Sequence, residues 1–494
     1  MKKRALALLT AITVVCLIFL FAACGGSDDL GGSFSQDSGY PYEESADGNY
    51  VYDSIEEQDF ALVSENPSSY FSLDRNTATY SYVRRQLNDG LDIAPDSVRV
   101  EEMINYFDYD FPAPADKAIG VSAYLADCPW NAENKLMLVG VKTSISELET
   151  ENANYVFLID VSGSMAGKDR LGLAVKGMEK LTDSLGDKDV VSVVTYASGV
   201  NKVLDGVECS ADGKKTIKNA VNNLAASGST AGGEGLLLAY ETARNHFIEN
   251  GNNRVIIVSD GDFNVGMSDL DELKEFIQDK AKQNIYLTVL GVGMGNTRDD
   301  LLETLATNGN GNYAYLDSEL EAEKVLCEEL DGTLKTVAKD AKAGVTFTSA
   351  VEKYRLIGYD TKIISQEDFE NDNTDAGEIG SNLCVAALYE IKLAESEETR
   401  LADAEIKYKD VSAGETDESV KIEVTVDTPS SDDLSFISCV AEFGLLLRQS
   451  DYRGDASFEA VAARLAMLEN YIGDDAYKSE FVTLVGKASE LYAE

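Results

Sequence analysis

Residues 155–164 read YVFLIDVSGS, and the fold turns on how that run begins and ends. Its first five residues are apolar or aromatic with no polar alternate, which predicts a strand buried on both faces. The run stops at Asp160. Alternation beyond a strand end directs Asp160, Ser162 and Ser164 the same way, and Gly163 permits a tight turn between the two serines. A second apolar strand, RVIIVSD at 254–260, also ends on a carboxylate, Asp260. Between them the loop SGSTAGG at 227–233 precedes a helix and presents the hydroxyl of Thr230.

Working outward, residues 153–335 alternate between strand and helix. Strands are expected at 155–161, 190–197, 254–260, 285–293 and 312–316. Helices are expected at 171–185, 217–224, 235–247, 270–283, 301–306 and 320–334. This alternation, with nearly continuous apolar strands, predicts an α/β fold with a doubly wound, mainly parallel sheet. Such sheets bind ligands beyond the C-terminal ends of their strands, where Asp160 and Asp260 fall.

The flanks differ. Short helices are expected at 79–88 and 97–107, the second capped by Asp96 or Ser97. Strand-like runs follow at 119–125 and 135–142. They resume after the central block at 344–348, 354–358, 384–393, 404–408 and 420–426, and helices at 434–449, 457–473 and 476–492 close the chain. The strands on either side predict a β-sandwich-like domain that either receives the α/β domain as an insertion or exists as two separate β units. The expected organisation is thus 58–150, an N-terminal domain of short helices and strands; 151–335, the α/β domain; and 336–494, a β-rich domain ending in helices.

The five donors Asp160, Ser162, Ser164, Thr230 and Asp260 are all hard oxygens. Two carboxylates with neutral hydroxyls suit Mg²⁺ or Mn²⁺, whereas Ca²⁺ favours more oxygens. With about two negative charges from the protein, a bound ion keeps Lewis acidity and an open position for a carboxylate from a partner. Asp-x-Ser-x-Ser by itself suits a turn or helix cap; Thr230 and Asp260 together turn the balance towards a metal. The glycine-rich stretch 228–235 makes a weak P-loop, since it lacks the Lys and the Ser/Thr order. A serine nucleophile lacks a base, since the lone His246 falls in an expected helix.

These residues resemble the metal-ion-dependent adhesion site of von Willebrand factor A domains, and all five positions match. The resemblance implies direct ligation by Ser162 and Ser164, water-mediated roles for Asp160 and Asp260, and entry of Thr230 in the ligand-bound state. It also implies a shift of a loop and of the last helix, the one ending near residue 334. NPSSYFSLDRNTATYSYVRRQLNDG from residue 66, DAGEIGS at 375–381 and AEFGLLLR at 441–448 extend the likeness over nearly the whole chain. They are similar to a bacterial family of von Willebrand factor A domain-containing lipoproteins.

The N-terminus fits that family. Lys2, Lys3 and Arg4 precede an apolar run that ends in Ala22-Ala23-Cys24, the pattern of a secretory signal. Residues 1–23 are expected to be a lipoprotein signal peptide, with Cys24 lipidated. Residues 24–57 are rich in Gly, Ser, Asp and Glu and are expected to form a flexible tether. The chain would then sit on the extracytoplasmic face of the cell membrane. A net charge of −45 argues against nucleic-acid binding. The five cysteines beyond Cys24 have no CxxC spacing, so neither a zinc site nor a disulfide framework is expected.

The expected function is therefore a non-enzymatic one: binding a protein or cell-envelope partner that offers a carboxylate to the metal. The alternatives are a metal-dependent hydrolase with Asp262 as its base, and a structural scaffold with no exchangeable ligand.

Overall fold

The computed structural model describes residues 55–493 apart from 74–75, 146–151, 230–231, 250, 262–269, 294–298, 312, 330–335, 373 and 375, together with a small antiparallel pair, Glu43–Glu44 with Tyr50–Val51. The expected signal peptide and Cys24 lie outside the described residues. Of the expected tether, the last residues are docked: Ile55 N donates to Asp96 Oδ1 at 3.2 Å, and Glu57 accepts from Ser450 Oγ at 2.8 Å. Among the described residues no helix is long and apolar enough to cross a membrane.

The N-terminal flank supplies β1 (Ala61–Leu62), β2 (Ser68–Ser72), α1 (Ala78–Asp89), α2 (Val100–Ile104), β3 (Ile119–Asp127) and β4 (Lys135–Thr143). The central block supplies β5 (Ala153–Asp160), α3 (Leu171–Ser184), β6 (Val190–Tyr196), β7 (Val200–Glu208), α4 (Ala211–Asn222) and α5 (Gly232–Asn245). It continues through β8 (Asn252–Ser259), α6 (Leu270–Ala281), β9 (Ile285–Val292), α7 (Asp299–Asn308), β10 (Tyr313–Leu316) and α8 (Glu319–Glu323). The C-terminal flank supplies β11 (Thr336–Phe347), β12 (Val351–Leu356), β13 (Gly377–Gly380), β14 (Cys384–Leu393), β15 (Arg400–Asp410) and β16 (Thr416–Thr425), then α9 (Asp432–Leu447), α10 (Phe458–Met467) and α11 (Ala476–Leu491).

The two flanks fold as one sandwich, with the α/β block inserted between β4 and β11. One sheet has the order β1–β12–β14–β4–β3, so β4 from before the block pairs with β14 from after it, Leu138 opposite Leu388. The other has the order β13–β11–β15–β16, with β2 beside β11, Tyr70 opposite Gly344. Residues 136–141 of β4 and 384–389 of β14 read as unbroken apolar runs because both of their faces are covered. Met137, Val139, Val385, Ala387 and Tyr389 enter the core between the sheets. Leu136, Leu138, Ala386 and Leu388 point to the opposite face, where Phe107, Phe436 and Phe481 of the helical layer meet them.

The second short helix is shorter than its expected span. Ser97 falls in a 3₁₀ turn, Pro95–Ser97, and its hydroxyl bonds the Ala94 carbonyl; α2 begins only after Arg99, which provides no side-chain cap. Within α2, Glu101 is buried, and its Oε2 has no hydrogen-bond partner among the described residues. Burial pushes its carboxyl from the usual 4.5 up to about 7, and the charges of Glu102 and Asp360 add to the rise. The proton is held more tightly in the folded state, so stability from this site is full below about pH 4.5 and is lost as pH rises through about 7. Glu101→Gln should flatten that fall and raise unfolding stability at pH 8 by up to about 3 kcal/mol, read by urea denaturation across pH.

The α/β block forms a six-stranded sheet of order β10–β9–β8–β5–β6–β7. All its pairings are parallel except β6 with the edge strand β7. Tyr155, Phe157 and Ile159 of β5 enter one core, and Val156 and Leu158 the other. Strand β7 was not expected from the sequence. At this edge its residues are only half-buried or exposed and carry no apolar alternation. Helix α4 starts at Ala211, earlier than expected, because Ser210 caps it by accepting from Gly213 N. Its first two turns are polar and leave no apolar signal.

The last helix of the block also departs from its expected span of 320–334. Ser318 caps α8, and after Glu323 the helix widens into a π-helical turn, Lys324–Glu328; residues 330–335 lie outside the described residues. The buried Lys324 ammonium lies 5.0 Å from the Tyr106 ring, 4.5 Å from the Tyr477 ring and 3.2 Å from Glu329 Oε1. Beside it, Arg84 of α1 binds Asp317 through Nε at 2.7 Å, Glu321 at 2.7 Å, the Tyr106 hydroxyl at 2.8 Å and Glu480 of α11 at 3.1 Å. This cluster ties the end of the α/β block to both flanks.

Candidate metal centre

Asp160 is the last residue of β5, and Asp260 directly follows β8. These strands are parallel neighbours with Ile159 opposite Val258, so both carboxylates leave the sheet at one edge. The edge is also where the chain order reverses: β6 lies on one side of β5 and β8 on the other. A crevice forms at such a point because the following helices cover opposite faces.

Asp160, Ser162 and Asp260 are buried, and Ser164 is exposed at the rim. Asp160 Oδ1 accepts from Ser162 N at 2.7 Å, which turns the chain tightly after the strand. The hydroxyls of Ser162 and Ser164 lie 2.9 Å apart, as the alternating spacing required. Asp160 Oδ2 and Asp260 Oδ1 are buried without a hydrogen-bond partner among the described residues. Burial pushes the Asp160 carboxyl up to about 6 against the hydrogen bonds from Ser162, and the nearby Asp260 charge adds to the rise.

The third segment is fastened to the first. Ser227 N donates to the Val161 carbonyl at 2.7 Å, and Gly163 N donates to the Gly228 carbonyl at 3.0 Å. Gly228 has φ +89°, and a Cβ there would stand 2.5 Å from Ser198 Oγ, so glycine is required by both conformation and space. Ser229 N donates to the same Ser198 hydroxyl at 3.0 Å. These bonds bring the loop alongside Asp160–Ser164 as far as Ser229. Thr230, the next residue, and Asp262 lie outside the described residues.

Two neighbours of the site were not singled out from the sequence. Tyr196, the last residue of β6, is buried, and its carbonyl accepts from Val161 N at 2.9 Å. Burial, and next the Asp160 charge, hold its phenol well above the usual value, so it stays neutral. Nothing in the apolar run VVSVVTYA marks it for this place. Arg170 donates to the Ser164 carbonyl and has its guanidinium 3.9 Å from Asp260 Oδ2. In the polar stretch MAGKDR, beside Lys168 and Asp169, it reads as a solvated loop residue.

The donor set fits a hard divalent cation. The two buried carboxylates face one cation, the Arg170 guanidinium beside Asp260 Oδ2, and leave Asp160 Oδ2 and Asp260 Oδ1 beside the pair of hydroxyls for an ion such as Mg²⁺ or Mn²⁺. Among the described residues no group of three or more His, Cys, Asp or Glu is arranged to hold a metal ion.

Comparison with known proteins agrees with this architecture. The von Willebrand factor type A domain family matches residues 154–328. A family described as von Willebrand factor matches 46–138, and one described as uncharacterized protein YfbK, C-terminal, matches 332–425 and 400–491. The chain is similar to the uncharacterized protein YfbK of Escherichia coli (strain K12), 37% identical over 472 residues, covering 89% of this chain and 81% of that one. It is also similar to the inter-alpha-trypsin inhibitor heavy chain H3 of Mesocricetus auratus, 27% identical over 174 residues, covering 34% of this chain and 19% of that one. Among solved structures, a von Willebrand factor type A protein from Catenulispora acidiphila aligns with 16% identity and a TM-score of 0.38, covering 75% of this chain and 89% of that one. Domains of the type A class support protein interaction and often bind a divalent metal. With its A domain and both flanking segments matched in order, the chain belongs to the YfbK family of bacterial von Willebrand factor A domain proteins.

Proposed function

We propose that this chain is a membrane-anchored extracytoplasmic lipoprotein that binds a protein or cell-envelope partner through a divalent ion held by Asp160, Ser162, Ser164, Thr230 and Asp260. The observation that supports this most directly is the pair of buried, unpartnered oxygens, Asp160 Oδ2 and Asp260 Oδ1, at the edge where the two serine hydroxyls meet. Two buried carboxylates with a single cation near them, Arg170 beside Asp260, are costly, and a bound ion would compensate both. Mg²⁺ or Mn²⁺ would supply a Lewis-acidic position open to a carboxylate. The residues of this chain would position the ion and leave Ser164 at the rim. The anchor is assigned to Cys24 from the lipobox-like LFAAC, and it fixes where the partner must be sought.

Crosslinking in the native membrane with and without EDTA tests this reading. The expected result is a partner set that is lost with chelator and in Thr230→Ala. A partner set indifferent to both favours a scaffold. Turnover of esters or phosphates by purified protein favours the hydrolase.

A further inference from the structure

We propose that Arg170 is a specificity-determining residue of this metal centre: it disfavours the bare ion and favours the ion together with an anionic ligand. The inference rests on the metal reading above and deepens it. Arg170 immediately precedes α3, on the loop that carries the two serines. Its Nη1 donates to the Ser164 carbonyl, and the guanidinium lies 3.9 Å from Asp260 Oδ2. The side chain is 27% exposed, so it borders both the buried carboxylate and the mouth of the crevice.

Its position is built into the fold. Gly293, just beyond β9, has φ +81°, and a Cβ there would stand 2.6 Å from Arg170 Nε and 2.9 Å from its Cγ. Only a glycine leaves room for this arginine stem. The Gly293 carbonyl is held by the Tyr315 hydroxyl, which itself accepts from Arg85 of α1. Arg85 also reaches Asp169, the residue before Arg170, at 3.2 Å. The arginine stem is therefore seated against Gly293, while Arg85 holds the neighbouring Asp169.

The charges then decide what the mouth prefers. Asp160 and Asp260 bring two negative charges, Arg170 one positive and a divalent ion two more. The loaded centre would be net positive within a chain of net charge −45. Arg170 and the ion would share Asp260 and repel each other, which weakens binding of the ion alone. The same two cations would attract a carboxylate jointly, and a neutral ligand would gain nothing from either.

Mn²⁺ alone is the first probe, titrated calorimetrically into wild type and Arg170→Gln. Acetate is the second, titrated into the Mn²⁺-loaded proteins and followed by water proton relaxation. The Gln variant should bind Mn²⁺ about fivefold tighter and acetate about fivefold more weakly. Arg170→Lys, which keeps the charge, should stay nearer wild type on both. Opposite changes are the signature, because a merely structural loss would weaken both together. Arg170→Met keeps the apolar stem over Gly293 and replaces the Gln variant if that one unfolds. Wild type that binds Mn²⁺, with both affinities unchanged or falling together in the variant, overturns the inference alone. Wild type that binds no Mn²⁺ removes the metal reading and the inference with it.

Discussion

Arg84→Ala should lower the unfolding stability of the chain by about 3–5 kcal/mol, because it strips the cation from a cluster of buried carboxylates. Asp317 and Glu321 have side chains only 1% and 3% exposed, and Glu480 approaches from α11. The guanidinium uses its fork fully, with Nε and Nη2 both on Asp317. Tyr80 and Tyr106 stack at 3.8 Å beside it, and the Tyr106 hydroxyl donates onward to Glu321 at 2.8 Å. Without Arg84 the buried carboxylates of Asp317 and Glu321 lose their cation, and burial already raises Glu321 above its usual value despite the arginine. Arg84→Lys should recover only part of the loss, since an ammonium cannot span Asp317 and Glu321 with a planar fork. Urea denaturation checks the magnitude. A triple variant, Arg84→Met with Asp317→Asn and Glu321→Gln, should be more stable than Arg84→Ala. If it is equally destabilised, packing rather than charge carries the effect.

The location of this cluster gives the prediction a second readout. Asp317 and Glu321 belong to the end of the α/β block, Arg84 to the helix before it, and Glu480 to the last helix of the chain. Helix α8 in turn packs closely on α3: a Cβ at Gly177 would stand 2.9 Å from Leu326 and 3.1 Å from Ala322. Hydrogen exchange in Arg84→Ala should therefore accelerate at 319–328 before it does in the β-sandwich core.

Asp160→Ala should reduce Mn²⁺ affinity by at least about a hundredfold and remove the stabilisation that the ion gives. A ligand at a hundred times its Kd adds about 2.7 kcal/mol to a protein that binds it only when folded. Wild type should therefore show a rise in Tm with Mn²⁺, and the variant none. Asp160 is central because its Oδ1 shapes the turn through Ser162 N while its Oδ2 is left for the ion. Alanine removes both roles. Unchanged calorimetric affinity in this variant would sink the metal assignment.

Much of this architecture is legible in the sequence. The unbroken strand 155–160, its carboxylate end, the serines at alternate positions and the second carboxylate after 254–259 depend on local pattern, and the structure brings Asp160, Ser162, Ser164 and Asp260 to one edge. Local pattern suffices there because a parallel strand buried on both faces must be apolar throughout, and its ligands must follow its end. The edge strands β7 and β13 escape the same reading. Their short or half-exposed segments carry no periodic apolar face, and the hydrogen bonds of a neighbouring strand define them.

The tertiary structure alone decided three matters. It showed that β4 pairs with β14, which makes the flanks one sandwich around an inserted domain; each strand has an unbroken apolar stretch, 136–141 and 384–389, so periodicity names no partner. It made Arg84 a buried hub whose partners lie 233 and 237 residues away. And it set Arg170 beside Asp260, a meeting that depends on the space left by Gly293. Residues that meet across such distances leave no spacing to read, because closeness in these cases follows from strand order and packing rather than from position along the chain.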